Sequence, residues 1–333
     1  MDIDLLLTGL AGVLATAVPV IFAAIGETIT ERAGVINLSV NGTIILAAAA
    51  GFAVADTTES LFLGFIMGAL IGALVALIVA FASITLKQSQ VAVGFILTLL
   101  CRDLAYFLGN PYMGKSGPKV PPAFPLPLLS EIPILGRIFF EQNILVYLSY
   151  ILIILAYFWI YRTRGGLTLQ GIGERPVAAF VRGINVNRMR YLYTIIGGAL
   201  VGVAGPMYSL SVKAGWKGTI SGLDGIGWIV LAIVIFGGWN PIRVTFGAYL
   251  FALLTWLGLV LQSSMPNVPS QVLQVAPFPL MILTLLLVNI GNADWVASVL
   301  AVLPAKTRKT VSHILRALRA PAPASLGIPF ENE

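Results

Sequence analysis

The feature that most limits what this chain can fold into is its series of long apolar runs. They lie at roughly 5–25, 38–55, 61–85, 91–109, 144–161, 191–211, 225–238, 242–262 and 276–291. A helix needs about 20 apolar residues to cross roughly 30 Å of hydrocarbon, and the chain offers about nine or ten such windows. Inside lipid, backbone N–H and C=O groups must pair within their own segment, so these runs can only be helices. Composition agrees, with 58% of residues hydrophobic, only 10% charged, and a mean hydropathy of +0.94. The expected fold is all-α, a polytopic transmembrane bundle over residues 1–303 followed by a tail over 304–333.

The net charge of +6 does not point to nucleic acid, because the basic residues gather at the ends of apolar runs, as membrane topology requires. The single cysteine, Cys101, lies inside an apolar run and can form neither an intramolecular disulfide nor a metal site. The N-terminus opens with Asp2 and Asp4 rather than with basic residues, so the first span is expected to be retained.

Between the fifth and sixth runs, Arg162, Arg164, Arg175, Arg182, Arg188 and Arg190 accompany a single carboxylate, Glu174. Such a segment must sit outside the lipid. Pro176 suits a first helical turn, where its missing N–H is spare, and Val177 to Arg182 can follow as a short helix ending at Gly183. With this segment on the cytoplasmic side, alternation places Arg32, Lys87, the six central arginines, Arg243, Lys306, Arg308, Lys309, Arg316 and Arg319 inside. Lys115, Lys119, Arg137, Lys213 and Lys217 fall outside. That excess of basic residues inside predicts an external N-terminus and a cytoplasmic C-terminus.

The order Gly173, Glu174, Arg175, Pro176, then Ala178, Ala179 and Gly183-Ile184-Asn185 resembles the cytoplasmic loop of ABC-importer permeases of the ribose, nucleoside and branched-chain amino acid group. In that family an asparagine usually precedes the proline, where this chain has Arg175. A second string, Thr30-Glu31-Arg32-Ala33-Gly34-Val35-Ile36-Asn37, resembles the family's segment leading into the second span. A third, with Gly222, Gly225 and Gly227 ahead of an apolar stretch and then Gly237-Gly238-Trp239-Asn240-Pro241, is similar to the simple-sugar and nucleoside branch. The resemblance implies that Gly173 to Asn185 contact a separate ATP-hydrolysing subunit. It also implies a second permease chain, an external substrate-binding protein and a multi-pass location in a bacterial plasma membrane. ATP and magnesium would belong to the ATPase partner, with no cofactor bound by this chain.

Three other stretches bear on architecture. Gly64, Gly68 and Gly72 stand at four-residue spacing, and Gly198 and Gly202 repeat the device, a pattern that lets helices approach closely. Residues 110–143 hold seven prolines and read as the longest external loop. Within it, Gly109 to Ser116 fits GxxxxGKS, but Gly117-Pro118-Lys119-Val120-Pro121-Pro122 follows where a phosphate loop needs a helix. In the tail, Val311, Ile314, Leu315 and Leu318 share a helical face while Arg316, Arg319 and His313 fall elsewhere, which predicts a basic amphipathic helix on the inner leaflet, stopped by Pro321 and Pro323.

Three function classes are open to such a chain. An enzyme needs a constellation that one histidine (His313) and one cysteine cannot supply. An ion-coupled carrier places ionisable groups within its spans, where only Arg102-Asp103 stand clearly. A permease driven by a partner's ATPase uses what the others leave idle, the charged loop helix. Glycine-rich residues 215–227 suggest a broken or re-entrant helix beside a path. Asn37, Ser39, Asn41, Trp216, Ser221 and Asp224 are the residues expected to line that path, for a nucleoside first and a simple sugar second, with branched-chain amino acids the remaining alternative.

Overall fold

A computed structural model describes residues 3–213 and 215–264, short pieces between 268 and 283, and 322–331. The ninth run, 276–291, falls mostly outside the described residues, as does the amphipathic helix expected over 310–319 with His313. Among the described residues the chain is helical with no strand, and eight segments are long and apolar enough to cross a membrane. They coincide with the first eight apolar runs.

The helices are α1 (Ile3–Arg32), α2 (Val40–Thr58), α3 (Leu61–Ala80), α4 (Gln90–Gly109), α5 (Ile144–Arg162), α6 (Arg164–Glu174), α7 (Pro176–Val181), α8 (Val186–Met207), α9 (Ile226–Phe236) and α10 (Pro241–Ser264). Two of them continue as π-turns, α3 through Phe81–Thr85 and α8 through Tyr208–Val212. The start of α1 and the 110–143 loop share one face, where Asp4 pairs with Arg137 at 2.5 Å. The opposite face carries α6 and α7, and is called the central-loop face below.

The core is built from α1, α2, α3 and α8. On α1, Ala17, Ile21, Ala24 and Ile25 are fully buried, and α2 is buried along most of its length. Without a hydrophobic force between helices in lipid, close packing and hydrogen bonds must hold such a core. The glycines allow it. A Cβ on Gly72 would stand 2.1 Å from the Gly198 carbonyl oxygen, and one on Gly202 would stand 2.1 Å from that of Gly68. The two series noted in the sequence thus face each other across α3 and α8, inside one chain. Outward faces of α4 and α5 are apolar apart from Arg102 and Asp103, with Phe107, Ile154 and Phe158 more than half exposed, as lipid contact requires.

The structure departs from the sequence reading at the first connection. Residues 26–32, beyond the end of the first apolar run, complete α1, and the chain turns only at Gly34 (φ +92°). The polar side chains of that last turn are tolerated because the protein buries and partners them. Glu31 accepts the indole N–H of Trp239, while Arg32 donates to the Trp239 carbonyl at 2.7 Å and to the Tyr161 hydroxyl at 2.8 Å. Trp239, held this way, adopts φ +53°, rare for a bulky residue. Next to it Asn240 accepts from the Ile242 N–H at the start of α10, whose first residue is Pro241. Two motifs two hundred residues apart therefore form one joint.

Residues 110–143 contain a 3₁₀ turn and a π-turn but no α-helix. In the GxxxxGKS string, Lys115 lies 3.5 Å from Asp56 and over the Tyr112 ring at 4.7 Å. No helix begins after Ser116, so the backbone does not form a phosphate cradle there.

Candidate functional site

The apolar segment before Trp239 is interrupted. A 3₁₀ turn at Gly218–Ser221 is followed by Gly222 (φ +62°) and Gly225 (φ +100°), and only then does α9 begin. Its 11 residues rise about 16 Å, roughly half the hydrocarbon thickness. Its start is also deep. Gly42, near the start of α2, is pressed against Thr98 in the middle of α4, and Gly227 is pressed against Asn41. The N-terminus of α9 is therefore at mid-bundle, the broken-helix arrangement suggested by the glycine-rich stretch and tolerated only where backbone is buried or lines a cavity.

Asn41 is what makes that start stable. Its Oδ1 accepts from the N–H groups of Gly225 (2.9 Å) and Gly227 (3.1 Å), and its Nδ2 donates to Asp224 (2.8 Å). A side chain from α2 thus serves as the N-cap that α9 lacks locally. Asp224 in turn faces Arg102 of α4 at 3.8 Å, and Arg102 bonds Asp103 at 2.9 Å. Neighbours on a helix usually diverge, yet these two side chains meet. The long guanidinium folds back to its neighbour. Asp103 is 66% exposed although it stands within an apolar span.

Beside this network lies a cavity of about 730 Å³, bounded by α1, the end of α8, the glycine-rich stretch, α10 and residues 275 and 278. One wall is aromatic, Phe251 and Phe278 meeting edge to face with centroids 5.5 Å apart. Its polar groups include Thr16, Thr255, Lys213 and Asp224. Lys213 donates to the Ser221 carbonyl, and burial together with neighbouring Lys217 holds its ammonium below the usual lysine value.

Of the six residues expected on the path, Asp224 lines this cavity and the other five do not. Asn37, Ser39 and Asn41 are buried and engaged. Asn37 donates to Glu27 at 3.5 Å and accepts from Ser39 Oγ at 2.5 Å. Trp216 is buried against Gly109 and stacked on Tyr106, and Ser221 is buried with only its carbonyl facing Lys213. A pattern of polar residues beside apolar runs marks them equally for a path or for capping and packing, and the local sequence does not distinguish the two. The cavity residues Phe251, Thr255 and Phe278 carry no local mark, because nothing in an apolar run singles out its inward face.

The loop residues divide by exposure. Pro176 opens α7, and Gly183, at φ +84°, lets the chain leave it. Glu174, Arg175, Ala178, Gly183 and Asn185 are exposed, while Pro176 and Ile184 are half-buried. Gly173 and Ala179 face inward. Gly173 leaves no room for a Cβ, which would stand 2.0 Å from the Arg32 carbonyl oxygen. Asn185 caps α8 by accepting from Arg188 N–H at 3.0 Å. The outward face of α7 is apolar, with Val177 at 66% and Val181 at 80% exposure, flanked by Arg175 and Arg182. Residues 164–174, read as loop, form α6, whose Leu169 and Ile172 are buried. Buried ionisable groups also exceed what the sequence suggested, since Glu27, Glu31 and Arg190 are all nearly inaccessible.

Comparison with known proteins places this architecture. The family described as branched-chain amino acid transport system / permease component matches residues 9–288. A putative glucose ABC transporter permease protein, TsgC13 of Haloferax volcanii, is 38% identical over 261 residues, 76% of this chain and 78% of that protein. The nucleoside ABC transporter permease protein NupC of Lactococcus lactis subsp. cremoris is 34% identical over 83% of this chain and 90% of its own length. The guanosine ABC transporter permease protein NupQ of Bacillus subtilis is 32% identical, with coverage of 84% and 91%. No solved structure matches. Because the family match runs through nearly all the described spans, the chain belongs to the ABC transporter permeases of the branched-chain amino acid transport system family, membrane translocation subunits rather than enzymes.

Proposed function

We propose that this permease carries a nucleoside or a closely related ribosyl compound inward through the membrane, driven by a separate ATPase subunit that grips α7. The observation that carries the substrate reading is the cavity, which offers an aromatic wall of Phe251 and Phe278 with few polar groups at its edge. An aromatic edge pair suits a flat base, and hydroxyl and charged groups suit a sugar ring. A zwitterionic amino acid would need two fixed countercharges, whereas Lys213 is already engaged by the Ser221 carbonyl. A simple sugar is the second reading, favoured by the similarity to a protein named as a putative glucose permease. Competition for uptake by cells carrying the complete transporter separates them. Inhibition by nucleosides is expected, and inhibition by glucose or a branched-chain amino acid with nucleosides inert overturns the choice.

The central-loop face is cytoplasmic in this reading, and an external binding protein delivers the solute to the opposite face. A second permease chain covers the exposed Arg102-Asp103 edge, because a half-exposed charge pair in the middle of an apolar span is poorly suited to lipid. ATP and magnesium act on the ATPase partner. On α7, a bulky residue at buried Ala179 would unseat the helix itself, so the docking test belongs at Ala178, which is exposed. Ala178→Arg is expected to release the ATPase subunit from the purified complex while the permease still inserts. Retention of the ATPase at the wild-type level overturns the assignment of α7.

A further inference from the structure

Residues 322–331 are seated on the central-loop face, among α1, α6, α7 and α8, and their bonds are specific. The Ser325 N–H donates to the Gly173 carbonyl at 2.9 Å, and its hydroxyl stands 2.6 Å from that oxygen and 3.1 Å from the Ile172 carbonyl. These are C-terminal carbonyls of α6, which have no partner within their own helix, so the tail acts as the cap of α6. The Ala324 N–H approaches Glu174 at 3.4 Å, and the Gly327 N–H donates to the Gly34 carbonyl at 3.0 Å. Phe330 lies against Phe180 of α7, with ring centroids 5.7 Å apart.

Arg190, at the start of α8, is 1% exposed, and both hydrogen bonds of its guanidinium go to this tail, to the Ser325 hydroxyl (3.1 Å) and the Ile328 carbonyl (2.8 Å). A buried cation with its acceptors supplied by one short segment is costly to separate from it. By contrast the Lys87–Glu331 pair is more than half exposed on both sides and adds little. The segment therefore joins the end of α6 and the side of α7 to the turn after α1 and the second turn of α8.

We propose that residues 322–331 are a positioning strap for α7, fixing it to α1 and α8 so that movement imposed on α7 reaches the spans. This rests on the reading that α7 is the contact of the ATPase. Without the strap, α7 hangs on the chain between Glu174 and Asn185, and the ATPase can still grip it while the motion is lost in the loop. The strap's role is thus in transmission, with the docking surface itself left to the exposed face of α7.

The test uses the complete transporter in proteoliposomes, measuring ATPase retention, ATP hydrolysis and solute transported per ATP. Removal of residues 322–333, and separately Phe330→Ala as a milder change, are expected to leave the ATPase bound and hydrolysing while transport per ATP falls at least tenfold for the deletion. Wild-type transport per ATP in the deleted protein overturns the proposal. Because removal also leaves Arg190 without its acceptors, a second measurement avoids the question of folding. Cys101 is buried and is the chain's single cysteine, so Phe180→Cys with Phe330→Cys places one pair of accessible thiols across the strap, which a short bis-methanethiosulfonate reagent can bridge. A transporter that still transports with this cross-link in place supports a strap that stays in place. Transport abolished by the cross-link and restored by reductant means a segment that must detach, and overturns it. The α7 reading fails separately, through Ala178→Arg keeping its ATPase, whatever the deletion does.

Discussion

Asn41 shows how one side chain decides the geometry around it. It satisfies two backbone donors at the start of α9 and holds the Asp224 carboxylate, all from a different helix. Leaving buried donors unpaired costs about 1–3 kcal/mol each. Asn41→Ala is therefore expected to lower the melting temperature of the detergent-solubilised complex by several degrees, and an unchanged transition would show that water or a neighbour replaces the cap. Asp224→Asn keeps a hydrogen-bonding group on Asn41 but removes the charge facing Arg102 and the cavity. It is expected to leave stability close to wild type and to change uptake, a separation read from thermal melts and transport on one preparation. Equal loss of both would assign Asp224 to structure alone.

Among the elements, the α3–α8 pair depends on the absence of side chains. With a Cβ on Gly202 already 2.1 Å from the Gly68 carbonyl oxygen, the Gly202→Ala change forces two backbones apart. Gly12, also within a helix, has nothing near the place of its Cβ. There alanine should stabilise by about 0.5–1 kcal/mol, since glycine is the poorer helix former. The expected outcome is a sharp loss of monodisperse protein for Gly202→Ala and none for Gly12→Ala, measured by size-exclusion chromatography of fluorescent fusions. Equal yields would mean that the two helices can separate without consequence. The broken span before Trp239 follows similar logic: α9 is too short to cross alone, and its inner end relies on Asn41 while its other end relies on Glu31 and Arg32.

For the whole molecule, the placement of α7 and the 322–331 strap on one face and the 110–143 loop on the other sets up a direct test of orientation. Leu128→Cys and Val181→Cys, at positions 81% and 80% exposed, sit on opposite faces. A membrane-impermeant thiol reagent is expected to label Leu128→Cys in intact cells and Val181→Cys only after permeabilisation, with the reverse pattern overturning the cytoplasmic assignment of the central loop. Length and hydropathy of the apolar runs were enough to place eight spans, because in lipid each backbone must satisfy itself within its own segment, a local constraint that a sequence carries on its face. The same holds for α7, whose proline start and glycine exit are local chemistry. Tertiary structure alone decided the rest. That Glu31 and Arg32 meet Trp239, that Asn41 caps a helix almost two hundred residues away, and that Ser325 closes α6 are pairings between distant segments. A polar residue beside an apolar run has the same local signature whether its partner is a solute or a remote backbone amide, and only packing determines which one it meets.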